Sequence, residues 1–205
     1  MALLAPLSEA RENLRLIRQT MERSTKYSTL SGWSGISVGT VALIATWLSV
    51  RILNSVHYRL IAGQSALANM TSLWCAALVF AIGFDFAWNK RRAKLVGKTL
   101  GSRLGVHIVL AALPGFIVGG VLTYFLYQHG LILCTWAVWM LCYGLAISAV
   151  GLYSVRPVSL LGASFLIAGA ISIAMPVHYQ ALMMAVSFGG FHIVYGLLMA
   201  RKYGW

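Results

Sequence analysis

The strongest constraint on this chain is a series of long, nearly uncharged apolar runs. They cover Gly32 to Val50, Ala66 to Trp88, Val106 to Tyr127, Leu131 to about Val150, Val158 to Ala174, and Ala181 to Ala200. A membrane-spanning helix needs roughly 20 such residues. Spanning strands would be about ten residues long with strict alternation, and these runs are longer and apolar all round. Only the second run carries a charge, Asp85. The expected fold is all-α, an integral membrane bundle of six transmembrane helices. Residues 32–205 form that domain, and residues 1–31 precede it.

Charge decides the threading. The chain has 16 Lys and Arg against 4 Asp and Glu, a net charge of +12. Fourteen of the 16 fall on one side of a six-span chain, and only Arg51 and Arg59 fall on the other. The 14 lie before the first span, between spans 2 and 3 (Lys90 to Arg103), at Arg156, and at Arg201 and Lys202. Basic residues collect on the cytoplasmic side, so both termini are expected there. The basic excess is then matched by orientation and by anionic headgroups, which leaves a nucleic-acid partner without support. The three cysteines, Cys75, Cys134 and Cys142, all fall within spans, where apolar filling is their default use. No cleavable signal peptide is expected, since the first apolar run starts late and runs long.

In the segment before the membrane, Leu7, Leu14, Ile17 and Met21 follow helical spacing, with Arg11, Arg15 and Arg18 on another face. The pattern fits an amphipathic helix on the cytoplasmic leaflet, a solvated arm or a partner-binding helix. Trp33, Trp47 and Trp88 sit near span ends, as interfacial aromatics do. Gly35 and Gly39 form a GxxxG in helix 1, and Gly115 and Gly119 form another in helix 3, after Pro114. Small residues at this spacing let helices approach closely.

The tripeptide Val-His-Tyr occurs twice, at 56–58 and 177–179, between helices 1 and 2 and between helices 5 and 6. Helix 2 then carries GFDFAW (83–88) and helix 6 carries GFHIVY (190–195). Helices 1–2 and 5–6 are therefore candidates for a parallel repeat of one hairpin, a device common in transporters. Chance also produces shared tripeptides in a chain of this length.

Few residues offer chemistry. Asp85 reads either as a carboxylate snorkelling or paired near the cytoplasmic face, with Lys90 or a neighbouring basic residue, or as a proton or cation site. His192 is the one histidine deep within a span. It reads as a hydrogen-bonded packing residue or as a cofactor-binding ligand of a haem or pigment, for which His107 is a poor second ligand in depth. His57, His129 and His178 come from three different outer loops and would bind a metal only if their rings converge. The G-K-T at 97–99 lacks the glycine of a phosphate-binding loop, because Arg92 stands in its place. No catalytic set is visible, so the chain is expected to be no enzyme.

The stretches RQTMERSTKYSTLSGWSG (18–35) and FGGFHIVYGLLMARKYGW (188–205) resemble the two ends of a group of small, uncharacterised bacterial membrane proteins. The resemblance implies a bacterial inner membrane and no catalytic role. The leading functional expectation is a non-enzymatic accessory or scaffold subunit that packs against lipids, other membrane subunits or copies of itself. The alternatives are a small proton-coupled transporter using Asp85 and a haem- or pigment-binding subunit using His192.

The charge asymmetry makes a topological prediction. Cysteine labelling or reporter fusions will place residues 90–105 and the C-terminus in the cytoplasm and residues 51–65 outside. Finding residues 90–105 outside would refute the six-span threading.

Overall fold

A computed structural model describes residues 12–14, 31–54, 64–95 and 103–203. Six helices are long and apolar enough to cross a membrane. They are α1 (Gly32–Asn54), α2 (Gln64–Leu95), α3 (Arg103–Gln128), α4 (Thr135–Gly151), α5 (Arg156–Ala174) and α6 (Val177–Lys202). No strand occurs among the described residues. The chain is an all-helical, multi-pass membrane protein, as the apolar runs require: in hydrocarbon each backbone N–H and C=O must be satisfied within its own segment. Most of the expected N-terminal amphipathic helix lies outside the described residues, and residues 12–14 are helical. The first Val-His-Tyr also lies outside them.

The bundle has two groups of three helices. In one, α1 packs between α2 and the C-terminal half of α6; in the other, α4 packs between α3 and α5. The N-terminal half of α6 joins the groups by touching α1, α4 and α5. The central core is Met140, Leu161 and Phe165 with Ala137 and Ala168, and Phe165 is fully buried.

Glycine fixes how closely these helices meet. On α1, a Cβ at Gly35 would stand 2.8 Å from the Gly196 Cα on α6, and one at Gly39 would stand 2.6 Å from the Gly189 carbonyl oxygen. Reciprocally, a Cβ at Gly196 would stand 2.6 Å from the Gly32 carbonyl oxygen. The α1 GxxxG is thus the seam with α6. The α3 GxxxG meets α4, where a Cβ at Gly115 would stand 2.7 Å from the Cys142 carbonyl oxygen. A third seam, between α4 and α5, has no GxxxG to announce it. Gly144 and Gly151 on α4, and Gly162 and Gly169 on α5, each lie against the other helix. Both pairs are spaced by seven, not four, and seven is the repeat of a left-handed supercoiled seam.

The connections are specified locally. Between α3 and α4, Gly130 takes a positive φ of 71°. Leu131 N–H bonds the Leu126 carbonyl at 2.8 Å and Gly130 N–H bonds that of Tyr127 at 3.0 Å. This is the Schellman termination, with glycine where a Cβ would be strained. Pro157 sits in the first turn of α5, where its missing N–H costs nothing. Between α5 and α6, Gln180 folds back onto buried Ser172: Ser172 Oγ donates to Gln180 Oε1 at 2.7 Å, and Gln180 Nε2 donates to the Ser172 carbonyl at 2.6 Å. That amide adds a second hydrogen bond to a carbonyl at the end of α5 that also accepts from the Met175 N–H at 3.2 Å.

Two of the boundaries that differ from those expected are informative. Helix α2 continues past Trp88 to Leu95, because Asn89 is buried against the start of α1 and carries the helix through Lys90–Lys94. Helix α6 begins at the second Val-His-Tyr, a 3-10 turn, and passes through a π-helical segment, Ala185–Phe191, before resuming as an α-helix at His192.

The glycine seams predict opposite outcomes for one substitution. Gly35→Ala drives a methyl into the Gly196 backbone and will cost about 1–3 kcal/mol, as overpacking does. Gly120→Ala, where nothing lies within 4 Å, will leave stability unchanged or raise it by about 0.5–1 kcal/mol through helix propensity. Thermal unfolding in one detergent compares them; equal losses would refute the seam.

Candidate functional site

Polar side chains within the spans fall mainly into two clusters, both of which reach α1. The first lies between α1 and α2. The Ser34 hydroxyl donates to the Asp85 carboxylate, and the Asn89 side chain supplies a second hydrogen bond to it. Asn89 Oδ1 also accepts from the Ser31 backbone N–H at 2.8 Å. Alongside, Trp88 Nε1 donates to Ser37 Oγ at 3.2 Å, while the Trp88 ring stacks on Trp33 at 6.0 Å. Nearer the other end, Trp74 Nε1 donates to Ser49 Oγ at 3.1 Å. Serines 31, 34 and 37 recur every three residues, which keeps them along one side of α1.

Asp85 is half-buried and turned toward α1. Lys90, one of its expected partners, lies elsewhere, with its ammonium 5.7 Å from the Phe86 ring centroid. Arg91 similarly lies 5.6 Å over Trp88. Both cations rest on aromatic faces at the end of α2, an arrangement that favours a charge near the interface.

The second cluster sits where α4, α5 and α6 meet. His192 is buried, 4 % exposed, among Tyr143, Phe165 and Phe188. Its Nε2 lies 2.6 Å from the Tyr143 hydroxyl and its Nδ1 lies 2.8 Å from the Phe188 carbonyl oxygen. A carbonyl only accepts, so the neutral ring carries its proton on Nδ1 and leaves Nε2 to accept from Tyr143. That carbonyl lies within the π-segment. In a regular helix the His192 N–H would take the Phe188 carbonyl; here it bonds that of Gly189. Such π-bulges occur frequently at functional sites.

The clusters meet at one turn of α1. Ser34 faces Asp85, and a Cβ on the next residue, Gly35, would stand 2.8 Å from the His192 carbonyl oxygen. Asp85 and His192 stand out in the sequence, but Tyr143, Ser34 and the π-segment do not. The doublet Gly189-Gly190 before His192 is the available signal, since glycine marks irregular backbone.

Of the three histidines expected in outer loops, the two within the described residues each pack locally. His57 lies outside the described residues. His129 Nδ1 lies 2.8 Å from the Phe125 carbonyl oxygen and its ring packs on Phe125 at 4.2 Å. His178 packs on Tyr179 at 4.1 Å. Among the described residues, no three His, Cys, Asp or Glu side chains are placed to hold a metal ion. His107, in α3, lies 6.2 Å from the Tyr153 ring. A haem iron at His192 Nε2 would have to displace the Tyr143 hydroxyl.

The tautomer is directly measurable. In nitrogen-15 spectra of histidine-labelled protein, the resonances lost on His192→Gln will show a protonated Nδ1 and an unprotonated, hydrogen-bonded Nε2. Tyr143→Phe will shift that Nε2 and cost about 0.6–1.7 kcal/mol, the range for polar contacts between membrane helices. A protonated Nε2 at neutral pH would overturn the assignment.

No known family model, no curated protein and no solved structure matches the chain. What the chain offers chemically lies in its own side chains, above all in the two clusters that reach α1.

Proposed function

We propose that the chain is a non-enzymatic accessory or scaffold subunit of a bacterial inner membrane, with both termini cytoplasmic, that works by packing against other membrane subunits, its own copies or lipid. The observation that carries this reading is how the polar groups in the spans are spent. Asp85 is matched with Ser34, Trp74 with Ser49, Trp88 with Ser37, Trp139 with Thr123 at 2.8 Å, Gln180 with Ser172 and Tyr143 with His192. Each pair joins two helices of the same bundle. Polar contacts used this way hold helices in register. Outside them, α2 and α3 present broad apolar faces, including Val79, Phe80, Phe86, Val109, Val121 and Tyr124. Those faces suit lipid tails or another subunit.

A second reading, a small proton-coupled transporter, is favoured by one arrangement: the Asp85 side chain and the His192 main chain reach the same turn of α1, and His192 stands at a π-segment. Ionisable side chains within a membrane commonly mark proton or ion routes.

Two measurements separate these readings. Purification in mild detergent will retain a stoichiometric membrane partner, or a defined homo-oligomer, if the subunit reading holds. Asp85→Asn still accepts from Ser34 and will keep that assembly intact. A proton flux in proteoliposomes that the wild type shows and Asp85→Asn abolishes would replace the subunit reading with the transporter. A visible absorbance band in the purified protein would instead point to a bound haem or pigment.

A further inference from the structure

The Tyr143 phenol has one proton to donate, and two acceptors compete for it. The first is His192 Nε2, 2.6 Å away. Because Nδ1 is committed to the Phe188 carbonyl, that bond runs from the hydroxyl to the imidazole. The second is Asp85, whose carboxylate charge acts on the phenol. Adjacent residues of α1 bring Asp85 and His192 together: Ser34 bonds the carboxylate, and Gly35 lies against the His192 main chain. The hydrogen bonds to Asp85 come from neutral groups, Ser34 and Asn89, while Lys90 and Arg91 rest on Phe86 and Trp88. A carboxylate so placed gains from any further donor. On α1 the nearest charged residue in the described span is Arg51, at the opposite end. On α3 the ionisable groups are Arg103 and His107 at the start and Tyr124 and Tyr127 at the end, and on α5 the one such group is Arg156, its first residue. On the helices that carry the trio, Arg92 and Lys94 stand at the end of α2 and Arg201 and Lys202 at that of α6. Cys142 precedes Tyr143, and Tyr195 packs one turn beyond His192.

We infer that the Tyr143 hydroxyl is a two-position switch set by the charge on Asp85. With a proton on Asp85, the hydroxyl donates to His192 Nε2, which is the arrangement described above. Loss of that proton to water leaves a carboxylate, and the O–H turns about its C–O bond to donate to it, directly or through one water. A hydrogen bond to an ionised acceptor is roughly twice as strong as one between neutral groups, so the carboxylate takes the donor. No bond of the phenol breaks, and Nε2 is left without its partner. The Tyr143–His192 bond joins α4 to α6, and α6 is the helix that links the two groups of three. The charge on one polar cluster is thereby passed to the contact between the groups. The inference deepens the transporter reading and rests on it for any use of the proton, whereas the rotation is an equilibrium property that needs no flux.

Asp85 is the only aspartate in the chain, so a carbon-13 label on the aspartate carboxyl reports its charge in the unmodified protein. The test combines that label with nitrogen-15 histidine in the full chain in nanodiscs, across the pH range in which the bundle stays folded. Nε2 of His192 is read while its imidazole is neutral. In wild type it will move from the position of a hydrogen-bonded nitrogen to that of a free one as the Asp85 carboxyl becomes a carboxylate, and both signals will share one midpoint, as coupled sites do. In Tyr143→Phe it will hold the free position at every pH. In Asp85→Asn, whose amide is uncharged and still accepts from Ser34, it will hold the hydrogen-bonded position at every pH. The wild-type comparison carries the test alone if either variant fails to fold. An Nε2 that stays in place while Asp85 titrates, a carboxyl that does not titrate in the folded bundle, or an Nε2 that still moves in Asp85→Asn would each overturn the switch. Proton flux is measured separately, so a chain that switches without flux and one that carries flux without switching are told apart.

Discussion

Two helices in hydrocarbon gain nothing from the hydrophobic effect when they touch, because lipid tails are as apolar as the side chains they replace. What remains is contact density, and glycine supplies it here. At the α1–α6 seam, Gly35 and Gly196 bring two backbones so close that a methyl on either would strike main-chain atoms. At that separation Cα–H groups approach the carbonyls of the facing helix, and each such contact adds a weak attraction of about 0.5–1 kcal/mol. The α3–α4 and α4–α5 seams repeat the device with Gly115, Gly144 and Gly162. The positions of α2 and of the N-terminal half of α6 follow from these seams, since both lie against helices that glycine has already placed.

That placement explains why polar residues can be accommodated at all. A carboxylate or imidazole within a span is costly unless a partner is held at hydrogen-bond distance. Gly35 lets α6 come close enough for the His192 main chain to touch α1, while its neighbour Ser34 reaches Asp85 on α2. The aromatic rings of Phe165 and Phe188 then pack around the Tyr143–His192 bond. The Phe188 carbonyl, within the π-segment, fixes which imidazole nitrogen holds the proton.

The spans were legible in the sequence because they rest on length and hydropathy, which no tertiary contact can override in a bilayer. Gly35, Gly39, Gly115 and Gly119 were legible as close-approach residues because their spacing of four is a local pattern. Which helix each would meet was not, since that depends on the whole arrangement. The α4–α5 seam was hidden by its spacing of seven. Asp85 and His192 stood out as rare residue types in apolar runs, but their partners are a serine and a tyrosine 51 and 49 positions away, and nothing in one sequence links positions so distant. The expectation that Lys90 would pair with Asp85 followed charge alone. The helix geometry turns Asp85 toward α1 and lets Lys90 extend along the aromatic Phe86 toward the interface.

The two modes of contact also divide the bundle by rigidity. Glycine seams are continuous along the helices they join, so α1–α6 and α4–α5 have little freedom to separate without losing packing over their length. The α1–α2 contact is different in kind: its hydrogen bonds sit at two levels, each worth on average only about 0.6 kcal/mol in a membrane, and the alanines between them leave a gap of about 250 Å³. Of the two polar clusters, the one containing Asp85 belongs to this contact, whereas His192 belongs to the dense core.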